Sequence, residues 1–101
     1  MITVLVKFKI SDDLNLKTLK EKFIETSEIY TDVEGLLRKN YIADIENGFA
    51  GGVYTFLTIE NAKTWFSKDR IKWITERYSK PEITYYESPV IVDNEKNKII
   101  S

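Results

Sequence analysis

The stretch Gly35–Leu57, GLLRKNYIADIENGFAGGVYTFL, decides how the chain is organised. Leu36 to about Asp44 reads as a strand, with Leu37, Lys39, Tyr41 and Ala43 on one face and Leu36, Arg38, Asn40 and Ile42 on the other. Ala50 to about Leu57 reads as the next strand, in which Gly52, Tyr54 and Phe56 oppose Gly51, Val53, Thr55 and Leu57. Between them, Ile45–Phe49 turns around Asn47-Gly48, a strong hairpin signal. The adjacent Gly51 and Gly52 mark a bend in the strand, or a place where something approaches the backbone closely; the second reading leaves room for a ligand beside the sheet.

Outward from that hairpin the pattern alternates between helix and strand. Ile2, Val4, Val6, Phe8 and Ile10 share one face of an N-terminal strand whose other face is mixed. Asn15 is placed to cap a helix from about Leu16 to about Tyr30, along which Leu16, Leu19, Phe23 and Ile24 recur at helical spacing. Gly35 suits a connection that needs positive φ. After the hairpin, Thr58 can cap a second helix carrying Ile59, Ala62, Trp65 and Phe66, with Asp69 restarting it and Ile71, Ile74 and Tyr78 continuing the apolar stripe. Pro81 stops it. Glu82 to about Val92 is a fourth strand, at an edge or bulged because Pro89 lies within it. Residues 94–101 read as a loose tail anchored by Ile99 and Ile100, leaving residues 1–93 as one domain.

The order βαββαβ is the ferredoxin-like α+β pattern. Its helices cover one face of the sheet. The other face is poor in charge too, so a partner sheet is the economical way to cover it, and a homodimer is expected.

Composition narrows the chemistry. A chain of 101 residues, 43% hydrophobic and 31% charged, can bury a core without covalent staples. Fifteen basic and 16 acidic residues leave a net charge of −1 and no general attraction to nucleic acid or anionic membrane. No cysteine and no histidine occur. Disulfides, thiolate nucleophiles, imidazole bases and the usual zinc sites are therefore excluded, and proton transfer falls to Asp, Glu, Lys, Tyr or water. No acidic spacing suggests a calcium loop. The apolar run at the N-terminus is short and holds lysines, unlike a signal peptide or membrane span, so a cytoplasmic location is expected.

The strand order invites comparison with RNA-recognition motifs, whose aromatic octamer would fall on Asn47–Tyr54. Gly48, Phe49, Ala50 and Tyr54 fit it. Asn47 stands where a basic residue belongs, Gly51 where a stacking aromatic belongs and Gly52 where an aliphatic belongs. RNA is not the expected partner.

A different likeness spans nearly the whole chain at low identity. Gly35, Lys39 and Tyr41, then Ala50, Gly51, Gly52, Tyr54 and Phe56, then Ala62 and Trp65, resemble a small bacterial family of proposed mono-oxygenases with a dimeric ferredoxin-like α+β barrel fold. Val90–Glu95 is similar to that family's exit from strand four. Residue 38 departs from the pattern, being Arg where the family has an aromatic. The resemblance implies a cofactor-independent oxygenase of a small electron-rich aromatic compound, in which the substrate anion itself reduces oxygen. It implies no flavin, haem or metal, and it places the candidate site at Lys39, Asn40, Tyr41, Tyr54 and Trp65. Lys39 or Asn40 would stabilise an anionic oxygen, and Tyr41, Tyr54 and Trp65 would wall an aromatic pocket. As alternatives, Lys39 reads as a snorkelling side chain and the aromatics as core or interface packing. Trp73 reads as packing, and Arg38 as a solvent-facing charge or an anion ligand. A non-catalytic, small-molecule-binding dimer is the competing function.

Overall fold

A computed structural model describes residues 1–101. The elements are β1 (Ile2–Lys9), α1 (Leu16–Ser27, closed by a 3-10 turn at Glu28–Tyr30), β2 (Leu36–Asp44), β3 (Phe49–Phe56), α2 (Ile59–Trp65), α3 (Lys68–Arg77), β4 (Glu82–Glu87), β5 (Ile91–Asp93) and β6 (Lys98–Ile100). The first four β-strands form one antiparallel sheet in the order β2-β3-β1-β4, the ferredoxin-like arrangement. Alternation in β1 sends Ile2, Val4, Val6 and Phe8 into the core. Ala50, Tyr54 and Phe56 of β3 stand beside them, and Leu19, Ala62, Phe66 and Ile74 come down from the helices. No helix is long and apolar enough to cross a membrane.

Local chemistry starts each helix. Asn15 accepts from the Thr18 N–H while the Thr18 hydroxyl takes the Asn15 N–H, a complete capping box. Thr58 caps α2 by accepting from the Asn61 N–H. The restart of the second helical segment belongs to Ser67, not Asp69: Ser67 accepts from the Arg70 N–H, and Asp69 lies in the first turn, where a negative charge suits the helix dipole. Gly35 has φ +76°, and its N–H-side turn delivers the chain into β2.

Three sequence expectations change. Gly51 and Gly52 sit in unbroken register with both neighbours, so they are no bulge. The irregularity is at Leu37: Leu36 pairs with Phe56 and Arg38 with Thr55, leaving Leu37 extra. That extra residue turns Leu36 to the core side and leaves Leu37 52% exposed. The fourth strand ends at Glu87 rather than Val92, because Pro89 interrupts the ladder. The chain beyond it is not a loose tail but a hairpin, with Ile91, Val92 and Asp93 opposite Ile100, Ile99 and Lys98. Asp93 fixes its turn by accepting from the Glu95 and Lys96 N–H groups. Glu95 on this turn lies 3.8 Å from Arg38, tying the hairpin to the bulged start of β2.

The face of the sheet away from the helices carries Leu5, Val53 and Thr55, half-buried, with Lys7, Asn40 and Ile42 exposed around them. Met1, the start of β2 and Thr55 of β3 line a depression together with the hairpin.

Candidate functional site

Register brings the site together. Lys39 of β2 stands opposite Tyr54 of β3, and Tyr41 opposite Gly52, all on the helix side of the sheet. Tyr30, at the end of the 3-10 turn after α1, closes over them. The Lys39 ammonium nitrogen lies 3.4 Å from the Tyr30 ring centroid, 3.7 Å from that of Tyr41 and 4.8 Å from that of Tyr54. Lys39 is thus held by three π faces. No carboxylate pairs with it; the two ion pairs of the molecule are Arg38–Glu95 and Arg77–Glu25.

The double glycine makes this packing possible. A Cβ on Gly52 would come 3.0 Å from Tyr54 Cε1 and 3.2 Å from Lys39 Cε, so the missing side chain is the floor on which both residues lie. A Cβ on Gly51 would collide with the Val6 carbonyl of β1. The first glycine admits a neighbouring strand, and the second admits the site.

Lys39, Tyr30 and Tyr41 separate two spaces. Outside them is an open depression of about 380 Å³, lined also by Ser27, Thr31, Leu36, Leu37 and Arg38. Inside, between the sheet and the helices, is a chamber of about 30 Å³. Val6, Phe8, Phe23 and Ile74 give the chamber apolar walls; Tyr54, Trp73, Arg77 and Tyr78 bring polar groups to it. The outer space is of a size that takes a small organic ligand, whereas the inner one has room for two or three heavy atoms. A separate apolar groove of about 440 Å³ runs between α1 and the outer edge of β2, past Leu16, Phe23, Ile24 and Ile42. Its only titratable groups are Lys20 and Tyr41.

Electrostatics single out Lys39. Burial, and secondarily the positive Arg70, lower its pKa from 10.5 to about 6. The ring faces favour the charged amine and act against that shift. Burial pushes the Tyr30 phenol up to about 12 and raises Tyr54 and Tyr41 as well, so the cage stays neutral. Near neutral pH, Lys39 is therefore the one group of the site able to gain or lose a proton. Tyr41 is fixed by stacking on Phe23, with centroids 4.5 Å apart, and by a 2.9 Å hydrogen bond between its hydroxyl and that of Thr26.

Of the five residues expected from the sequence, the structure brings Lys39, Tyr41 and Tyr54 into one cluster. Asn40 is separated from them. It lies on β2 next to Lys39, so pleating turns it to the opposite, exposed face of the sheet, opposite Val53. Trp65 stands behind Tyr30, edge-on at 5.3 Å, and lines neither space. Its indole N–H is buried without an acceptor, and the Arg70 guanidinium covers its ring at 4.0 Å. Trp73, expected only to pack, lines the inner chamber. Tyr30 and Arg77 were not expected in the site. Tyr30 had a sequence signal, an aromatic at the end of a helix just before the Lys39 strand. Arg77 had none, since it reaches the site only through the packing of α3 on the sheet. Arg38 is 59% exposed at its side chain and faces the hairpin. No cluster of acidic side chains is arranged to hold a metal ion.

No family model matches the sequence, and no curated protein is similar to it by sequence. Solved structures are similar. A proposed antibiotic biosynthesis monooxygenase from Deinococcus radiodurans superposes with a TM-score of 0.69 at 13% identity, over 92% of this chain and 97% of its own. SnoaB, a cofactor-independent oxygenase from Streptomyces nogalater, superposes with a TM-score of 0.62 at 10% identity, over 86% of this chain and 91% of its own. The chain shares their fold. This is the ferredoxin-like α+β fold that the resemblance read from Gly35–Leu57 and Ala62–Trp65 implies.

Proposed function

We propose that the protein is a cofactor-independent mono-oxygenase acting on a small electron-rich aromatic compound, and that it works as a homodimer joined through the open face of the sheet. The observation that carries the reading is Lys39: an amine without a carboxylate partner, enclosed by Tyr30, Tyr41 and Tyr54, at the boundary between an outer depression and an inner chamber. The similar fold of a cofactor-independent oxygenase supports it.

The chemistry follows from the residues. A phenol, quinol or anthrone-like substrate lies in the outer depression against Tyr30 and Tyr41. Neutral Lys39 takes the acidic proton of the substrate and becomes an ammonium beside the anion it has created. Lowered basicity makes Lys39 neutral at pH 7, and the new charge pair restores part of what desolvation removed. The substrate anion then gives an electron to oxygen directly. Radical and superoxide combine into a C–O bond, and loss of water leaves one oxygen atom in the product and the other in that water. Trp65 and Trp73 hold the walls through Tyr30 and Arg70.

Oxygen uptake by the purified protein, over a panel of dihydroxy-aromatics and anthrones, tests this reading. Uptake is expected with at least one compound, unchanged by metal chelators and without added flavin or nicotinamide. Tight binding of a compound with no uptake from any would instead make the protein a small-molecule-binding module.

A further inference from the structure

The inner chamber is too small for an aromatic ring, yet an amine and a guanidinium line it. Lys39 lies on its sheet wall and Arg77 on its α3 wall. The Arg77 guanidinium spends one terminal nitrogen on the Glu25 carboxylate at 3.0 Å and on the Lys22 carbonyl at 3.1 Å, while its Nε–H is buried with no acceptor. A buried charged donor left unpaired costs stability, and such groups usually meet water, an ion or a ligand. Every other face of the chamber is neutral. The phenols of Tyr30, Tyr41, Tyr54 and Tyr78 are all held protonated by burial; outside the lining, Arg70 acts on Lys39 as a positive charge, and Glu25, paired with Arg77 at 3.0 Å, acts on Tyr78 as a negative one.

We propose that this chamber is a subsite for a small monovalent oxygen anion, held between the Lys39 ammonium and the Arg77 Nε–H. The inference rests on the oxygenase reading for the identity of its occupant: superoxide, formed when the substrate anion in the outer depression passes one electron to dioxygen, and held until it combines with the substrate radical. Size and lining fit that class. About 30 Å³ admits two or three heavy atoms. Aromatic and aliphatic walls favour a weakly hydrated monovalent ion over phosphate or sulfate, whose dehydration they cannot offset. Lys39 faces both spaces, so the proton it took from the substrate is at hand for the reduced oxygen.

Nitrite and azide are stable probes of that size and charge. In calorimetric titrations of the intact wild-type protein, both should bind, and benzoate and sulfate should not bind at this site. Binding requires the protonated amine, so affinity should fall about fifty-fold between pH 6 and pH 8 if Lys39 titrates near 6. Proton uptake should accompany binding at pH 7, read from the dependence of the heat on buffer ionisation. Lys39→Met should abolish nitrite binding. Arg77→Lys keeps the charge toward Glu25 but removes the Nε–H, and should weaken nitrite at least tenfold. Nitrite affinity independent of pH, or unchanged in either variant, overturns the proposal; should a variant not fold, the wild-type pH series and size series still decide it. The two readings separate cleanly. Nitrite binding of this form without oxygen uptake from any substrate keeps the anion subsite and removes the oxygenase. Oxygen uptake with no nitrite or azide binding keeps the oxygenase and removes the subsite.

Discussion

Replacing Lys39 with methionine keeps the length of the side chain and removes its charge. In the folded protein the amine titrates near 6 instead of 10.5. At pH 7 folding must therefore strip a proton that the unfolded chain holds, over about 3.5 units at about 1.4 kcal/mol each, or about 5 kcal/mol as an upper limit. Solvent screening and relaxation of the site reduce that limit, leaving a net cost of about 2–3 kcal/mol. Lys39→Met should thus be more stable than the wild type at pH 7 by about 2 kcal/mol, a rise in Tm of roughly 10 °C for a domain of this size. The sign follows from proton counting. Between the folded and unfolded pKa the unfolded state binds more protons, so wild-type stability rises as pH goes from about 6 toward 10.5, and the advantage of the variant shrinks over the same window. Urea unfolding at pH 6, 7.5 and 9.5 measures it. A variant that is less stable, or whose advantage does not change with pH, would show that the amine reaches water and that Lys39 is a snorkelling side chain. Turnover should fall far more than substrate binding in the same variant, because the residue removed is the proposed base.

Four other substitutions probe the scaffold. Gly51→Ala drives a Cβ into the Val6 carbonyl and should prevent β1–β3 pairing, leaving little folded protein by circular dichroism; Gly52→Ala only presses on Tyr54 and Lys39, and should fold with a loss of roughly 1–3 kcal/mol in urea unfolding. Leu5→Asp places a charge at the middle of the open sheet face and should shift the mass measured by light scattering from dimer toward 11.8 kDa; a wild type of that mass at micromolar concentration would remove the dimer. Trp65→Ala withdraws the support behind Tyr30 and the platform under Arg70, and should lower both ligand affinity and turnover in the oxygen-uptake assay while costing about 3 kcal/mol or more of stability.

What could be read without coordinates follows the range over which each residue's partners act. Caps at Asn15 and Thr58 and the alternation of β1 are set by neighbours within four residues, and both appear as expected. The sequence points to Asp69 for the helix restart because an acid in a first turn resembles a cap; Ser67, two residues earlier, makes the bond. The bulge at Leu37 was invisible because LLRK is apolar or amphipathic at every position, so inserting one residue disturbs no pattern. The closing hairpin was hidden by Asn94-Glu95-Lys96-Asn97, whose polarity suggested a loose end, although Asn97 takes the positive φ of 52° that the turn requires. In the site, Lys39, Tyr41 and Tyr54 were found together because the hairpin register is local. Tyr30, Trp73 and Arg77 join them only through the packing of helices on the sheet.

The placement of Lys39 argues for function more strongly than its identity does. A lysine kept for solubility extends its amine to water, and one kept for stability finds a carboxylate; here the amine lies over three neutral rings and beside the repelling charge of Arg70. Leucine or methionine on β2 would fill the same volume without the desolvation cost, and Gly52 gives up a side chain of its own to make that volume. A fold that accepts two such losses at one point holds a strained group where the outer depression meets the inner chamber. A reaction that begins by ionising its substrate and ends by protonating reduced oxygen would use both charge states of such a base.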